Sequence, residues 1–251
     1  MKKDPISRFS NRVENYVKYR PHYPPEIIVF LKKENILSDN SIIADIGSGT
    51  GISSELFLKN GNKVYGVEPN NEMRKAAEKL FTDKPNFVSI NAAAENTSLE
   101  NESMDIVLAG QAFHWFDKDK TKTEFRRILK PGGTVILMWN VKKYDNSSLM
   151  KEYEALLNKY GTDYKEVKHE NTGENEFNYF FDDKYRIKMF DNEQVLDYEG
   201  FKGRLLSASY APAPGMPEFE PMMEELQNIF NRNNNNGAVI IKYDTKLVFG
   251  V

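Results

Sequence analysis

From Ser41 to Asn140 the chain alternates short apolar runs with stretches of helical period, joined by short turns. "SIIADIG", "NKVYGVEPN", "TVILMWN" and the starts of "NFVSINAAAEN" and "MDIVLAGQAFHWF" read as strands. "ISSELFLKNG", "NEMRKAAEKLF" and "KTKTEFRRILKPGG" read as helices; the first stops at glycine, the second has Asn70 as its N-cap, and the third ends at Pro131. Such alternation argues for a parallel sheet with helices on both faces, because parallel neighbours need a crossover between them. Ligands of these sheets bind beyond the strand C-termini, where strand order reverses. The glycine-rich turn after the first strand is where that point falls.

That turn is "ADIGSGTGISS", with Gly47, Gly49 and Gly51 on alternate positions. Glycine is costly to order and packs nothing, so three together imply a tight turn or a close approach by a ligand. The dinucleotide pattern G-x-G-x-x-G fails, because Ile52 stands where its third glycine belongs. A phosphate-binding Walker loop fails too, since no lysine follows Gly51. Glu68 closes the second strand in "YGVEPN", where a carboxylate can accept from both hydroxyls of a ribose and would repel a 2′-phosphate. "NAAAEN" after the third strand offers Ala94 and Glu95: a small residue beside a flat base, and an acceptor for an exocyclic amine.

Composition narrows the remaining classes. A chain of 251 residues with 40% hydrophobic and 28% charged residues suits one α/β domain with room for an added cap. It has no cysteine, which removes disulfides, thiolate nucleophiles and cysteine-ligated metals, and no metal-ligand spacing stands out. The net charge is −3 without a dense Lys/Arg cluster, and "FRRILK" reads as a solvated helix face, so no nucleic-acid partner is expected. The N-terminus lacks a signal-peptide core and no apolar run nears the ~18 residues of a membrane span. A cytoplasmic location without a membrane partner is the expectation; oligomeric state is not legible. After Asn140 the pattern loosens. Ser147–Lys159, Phe201–Ser209 and Pro217–Asn231 look helical, while Arg186–Asp197 and Ala238–Gly250 look like strands or hairpins. "NEFNYFFDDKYR" suits a lid, and equally a packed helix or strand edge.

The ordered set "DIGSGTG", "VEPN", "NAAAEN", "MDIVLAGQAFHWFD" and "LKPGGTVIL" resembles the class I S-adenosylmethionine-dependent methyltransferases. The resemblance is to the methyltransferase type 11 group, and within it to trans-aconitate methyltransferase-like proteins, through "YVKYRPHYP" and "LLSASYAPAPG" as well. It implies a doubly wound, Rossmann-like α/β fold with a mostly parallel seven-stranded sheet. Residues 1–40 would be an N-terminal arm and helix, 41–140 the cofactor core, 141–217 a cap inserted after strand five, and 218–251 the closing helix and strands.

The same resemblance implies site roles. Asp45, Gly47, Ser48, Gly49 and Gly51 would shape the pocket for the methionine part of S-adenosylmethionine, with Asp45 facing its ammonium directly or through water. Glu68 would hold the ribose, and Pro69 would continue that wall. Ala94 and Glu95 would border the adenine, and Gln111 would lie near the sulfonium. Arg20 offers a forked donor to the methionine carboxylate and Tyr16 a hydroxyl. His114 is a candidate base, or a hydrogen-bonding wall, beside Trp115. Arg204 is a possible partner for an acidic substrate that no pattern singles out. The activity implied is methyl transfer to a small-molecule acceptor such as a carboxylate, by in-line displacement, leaving S-adenosylhomocysteine. The competing readings are an RNA or protein methyltransferase, a cofactor-binding protein without turnover, and an NAD-dependent dehydrogenase, which the misplaced glycine disfavours.

Overall fold

The computed structural model describes residues 12–144, 147–165 and 173–251. The start of the N-terminal segment read above for a signal peptide, and His169, lie outside them. Seven strands form one sheet: β1 (Ile42–Ile46), β2 (Lys63–Val67), β3 (Phe87–Ile90), β4 (Met104–Gly110), β5 (Leu129–Lys142), β6 (Tyr185–Leu196) and β7 (Val239–Gly250). Their order is β3-β2-β1-β4-β5-β7-β6. The first five are parallel, and β7 runs antiparallel to both β5 and β6. Strand order therefore reverses between β1 and β4, directly above the glycine turn.

The central strands are apolar on both faces because helices cover both. Ala44, Val107, Leu137 and Trp139 point to one side, where α5 (Lys118–Ile128) and α7 (Glu174–Phe181) bring Phe125, Phe177 and Phe180. Ile43, Ile106, Leu108 and Met138 point to the other, covered by α2 (Glu26–Lys33), α3 (Ile52–Lys59) and α4 (Asn71–Leu80). Three more helices, α6 (Ser148–Tyr160), α8 (Tyr198–Leu206) and α9 (Phe219–Asn233), form a third apolar cluster with Val239, Ile241 and Tyr243 of β7. A short helix at the N-terminus, α1 (Val13–Tyr19), buries none of its residues.

The seven-stranded Rossmann-like architecture is as expected, with three corrections. The helix expected to reach Pro131 ends at Ile128, and Leu129 already pairs with Met104. Residues 130–133 then leave the ladder, which resumes at Ile106 and Thr134; Pro131 has no N–H to give it. Residues 141–217, expected as a cap, carry α6, α7 and α8 and also β6, which pairs along its whole length with β7. For the same reason Arg186–Asp197 and Ala238–Gly250 are single strands that pair with each other, not two hairpins. "NEFNYFFDDKYR" is not a lid: Phe177, Phe180 and Phe181 are buried in the core, so the packed-helix reading holds. Among the described residues no helix is long and apolar enough to cross a membrane.

Candidate functional site

The turn after β1 folds back on the start of the neighbouring loop. Gly47 N–H donates to the Val67 carbonyl at 2.8 Å. Gly49 adopts a left-handed φ of +56°, and a Cβ there would meet only the Met73 methyl, at 3.4 Å. It faces open space at the cavity wall, and its N–H donates to Glu68 Oε2 at 2.9 Å. Gly51 plays a different part. A Cβ on it would sit 2.3 Å from the Phe81 ring, and it lines neither cavity described below. Its place in the motif is explained by packing, which corrects its expected role in ligand contact.

Glu68 is 8% exposed. Its second oxygen, Oε1, accepts from Asn70 N–H at 2.7 Å, while Asn70 caps α4 by accepting from Met73 N–H at 2.9 Å. Burial raises the Glu68 pKa above the ordinary carboxylate range, and the two main-chain donors counter it. Each oxygen retains acceptor capacity beyond its one main-chain bond. The carboxylate is therefore fixed in place and ready to accept two more hydroxyls.

Two adjoining cavities open at the switch point. One, of about 280 Å³, is bounded by Gly49, Glu68, Pro69, Ala94, Glu95 and Gln111, with Met73, Trp115 and Phe116 as walls. The other, of about 100 Å³, is bounded by Arg20, Ser48, Ser53, His114, Lys142, Arg204 and Tyr210. Tyr16, Gly47, Gly49, Gln111 and Trp115 border both. Glu95 is partly committed elsewhere, since its Oε1 accepts from Asp117 N–H at 2.9 Å. His114 stacks at 4.6 Å on Trp115 in the short turn after β4.

Asp45 lines neither cavity. It is fully buried beneath the turn, where Oδ2 accepts from Ser53 Oγ at 2.7 Å and Ser54 Oγ at 2.6 Å. Burial pushes its pKa from 3.8 up to about 6, against the pull of those hydroxyls. Of the two contacts expected of it, direct or through water, the geometry does not offer the direct one; Ser53, bonded to it, is the group at the cavity surface.

The N-terminal arm closes the smaller cavity. Arg20 Nη2 donates to the Ser207 carbonyl at 2.9 Å, and its guanidinium lies 4.7 Å from the Tyr16 ring centre. Its Nε is buried without a hydrogen-bond partner. Arg12 donates to the carbonyls of Leu206 and Ala211, and the Tyr19 ring packs where Gly203 has no side chain. Sequence reasoning missed Lys142 and Tyr210 and left Arg204 unassigned. Lys142 sits at the C-terminal end of β5, the end where ligands of such sheets bind, and that position is a signal for it. Arg204 is brought in by α8 and Tyr210 by the loop after it, within the "LLSASYAPAPG" segment that carried part of the resemblance but named no residue of the site.

With this geometry in hand, comparison with known proteins gives a consistent result. Residues 44–137 match the methyltransferase domain family. The chain is 34% identical over 140 residues to an uncharacterized methyltransferase of Schizosaccharomyces pombe, covering 55% of this chain and 54% of that protein. It is 33% identical over 141 residues to an uncharacterized methyltransferase of Mycobacterium tuberculosis, covering 56% and 55%. The chain thus spans about half the length of the curated relatives it matches. Among solved structures, a protein of Anaeromyxobacter dehalogenans assigned as a type II methyltransferase superposes with a TM-score of 0.66 at 19% identity, over 92% of this chain and 97% of that one, which shows the shared fold. The resemblance to class I methyltransferases is borne out; its narrowing to trans-aconitate-like proteins is not specifically shown.

Proposed function

We propose that this chain, whose residues 44–137 are a methyltransferase domain, binds S-adenosylmethionine in the two adjoining cavities and methylates a small-molecule acceptor such as a carboxylate. The observation that carries the reading is Glu68. Its two oxygens are each anchored by one main-chain N–H at the switch point, beside a glycine whose missing side chain leaves the cavity open. That is the environment a ribose diol requires. Arg20 fits the other end of the same ligand, with a buried Nε that still lacks an acceptor and a charge suited to the methionine carboxylate.

Bound there, S-adenosylmethionine supplies a methyl already activated on a sulfonium sulfur. The residues of this chain then have three tasks. Glu68, Ala94 and Glu95 hold the adenosine part, and Arg20 with Tyr16 and Ser53 holds the amino-acid part. Gln111 and Trp115 border both cavities and His114 the smaller one, and they orient the acceptor, where alignment alone can lower a barrier by on the order of 7–11 kcal/mol. The arm across the smaller cavity excludes water. A carboxylate acceptor is ionised already and needs no base; His114 has a proton to take only from a hydroxyl or amine. The small size of the inner cavity, about 100 Å³, supports a small acceptor over a macromolecular one. Among the described residues no Asp or Glu lines it, which supports an acidic acceptor. Incubation with methyl-labelled cofactor and a panel of small acids tests the reading: transfer to one or more of them is expected, and labelling confined to RNA or protein would contradict it.

A further inference from the structure

Arg20 aims a long side chain from an arm that packing does not hold. The helix before it, α1, buries none of its residues, and Arg20 itself is extended, with Pro21 after it. Residues 20–22 belong to no helix or strand, so the Pro21 and His22 carbonyls have no ladder to join. Side-chain amides of the sheet meet them instead. Asn192 Nδ2, on the edge strand β6, donates to the His22 carbonyl at 2.8 Å. Asn140 Nδ2, near the end of β5, donates to the Pro21 carbonyl at 3.4 Å and to that of His22 at 3.3 Å. On the other side of Arg20, Gln194 Nε2 donates to the Tyr19 carbonyl at 3.1 Å. The main chain is thus gripped on both sides of Arg20, whose buried Nε has no hydrogen-bond partner.

An amide can present either end, and a second set of contacts fixes which. Asn140 Oδ1 accepts from the Thr245 hydroxyl and from Asn192 Nδ2, the latter at 3.1 Å, which leaves the Asn140 Nδ2 facing the arm. Asn192 Oδ1 is occupied by Glu193 N–H at 2.9 Å. Thr245 is fully buried on β7, opposite Asn140 in the register. Neither Thr245 nor Asn192 lines either cavity.

We propose that Asn192 and Thr245, with Asn140 between them, are positioning residues: they fix the peptides after Arg20 so that its guanidinium is held at the methionine carboxylate of the cofactor. The assignment rests on the reading above and goes beyond it, because it places the support of that contact at the sheet edge, outside the cavity. The physical reason is entropic. An arginine side chain has many rotamers, and a loose main chain beneath it adds freedom that binding must remove. With the peptides pinned beforehand less is lost, and only a ligand that reaches Arg20 gains from it.

The test compares two ligands by calorimetric titration. S-adenosylhomocysteine carries the amino-acid part; 5′-methylthioadenosine has the same adenosine and sulfur without it. Asn192→Leu and Thr245→Val should each weaken S-adenosylhomocysteine binding about 3- to 10-fold and leave 5′-methylthioadenosine within about twofold of wild type. Thr245→Ser, which keeps the hydroxyl, should bind both as the wild type does. In an Arg20→Gln background the Asn192→Leu loss should disappear, since Asn192 acts through Arg20. Unchanged S-adenosylhomocysteine affinity in both variants, equal loss of the two ligands, or an Asn192→Leu loss that persists without Arg20 would overturn the assignment. Wild-type protein that binds neither nucleoside would instead overturn the cofactor reading beneath it, and the positioning role with it.

Discussion

Glu68 and Gly49 act as a pair: the glycine donates its N–H to the carboxylate and leaves the space in front of it clear. Glu68→Ala removes both ribose contacts and should cost about 1.5–3 kcal/mol of S-adenosylmethionine affinity, read by calorimetry; a folded variant with unchanged affinity would remove Glu68 from the site. Gly49→Val puts a branched side chain at a φ of +56° and into the approach path, and should abolish binding. Asp45 gives a prediction about pH. Between pH 3.8 and about 6 the native chain keeps a proton on Asp45 that the unfolded chain has lost. Its contribution to stability therefore falls as pH rises through that window, and above it the full penalty, on the order of 3 kcal/mol, is in place. Asp45→Asn should flatten that fall, gaining on the wild type in Tm above pH 6; parallel Tm-versus-pH curves would contradict the assignment. At this scale Glu68 and Gly49 were legible, because end-of-strand position and glycine spacing are local. The motif names Asp45 and Gly51 without their surroundings, because it does not say which residues face the cavity and which face Ser53, Ser54 or Phe81.

The N-terminal arm is the element whose position matters most and is held most lightly. Since α1 buries no residue, the segment is tied down by Arg12 and Arg20 on carbonyls of the 206–211 loop, by Gln194 on the Tyr19 carbonyl, and by Tyr19 on Gly203. A Cβ at Gly203 would lie 2.1 Å from the Tyr19 ring. Gly203→Ala, which in an open helix face would stabilise by up to about 1 kcal/mol, should here lift the arm. The expected result is faster tryptic cleavage after Lys18, with roughly tenfold weaker cofactor binding as Arg20 leaves its place. Unaltered proteolysis and affinity would mean the arm is positioned some other way. The resemblance carried by "YVKYRPHYP" suggested the arm, yet could not name Gly203 or Gln194. Those contacts span more than 170 residues of chain, and only the folded sheet brings them together.

For the molecule as a whole, the regular half was readable and the irregular half was not. From Ser41 to Asn140 the central strands β1 and β4 are buried on both faces, so hydrophobic runs and helical periods carry the fold in their spacing. Past Asn140 the elements depend on distant partners: β6 finds its place only through β7, and α6 packs on α9. This is why Arg186–Asp197 reads equally as strand or hairpin until its partner is known. The inner cavity draws Arg20, Lys142 and Arg204 from the arm, from β5 and from α8, and no local pattern could announce that meeting. A ligand seated across these elements should stabilise all of them together. At a concentration 100-fold above its Kd, S-adenosylmethionine should add about 2.7 kcal/mol and raise Tm by roughly 5–10 °C. The most direct test is calorimetric titration of the protein with S-adenosylmethionine and S-adenosylhomocysteine, with NAD alongside. Saturable binding of the first two and none of NAD is predicted; binding of NAD, or of none of the three by folded protein, would contradict a site built around Glu68 for an adenosyl sulfonium.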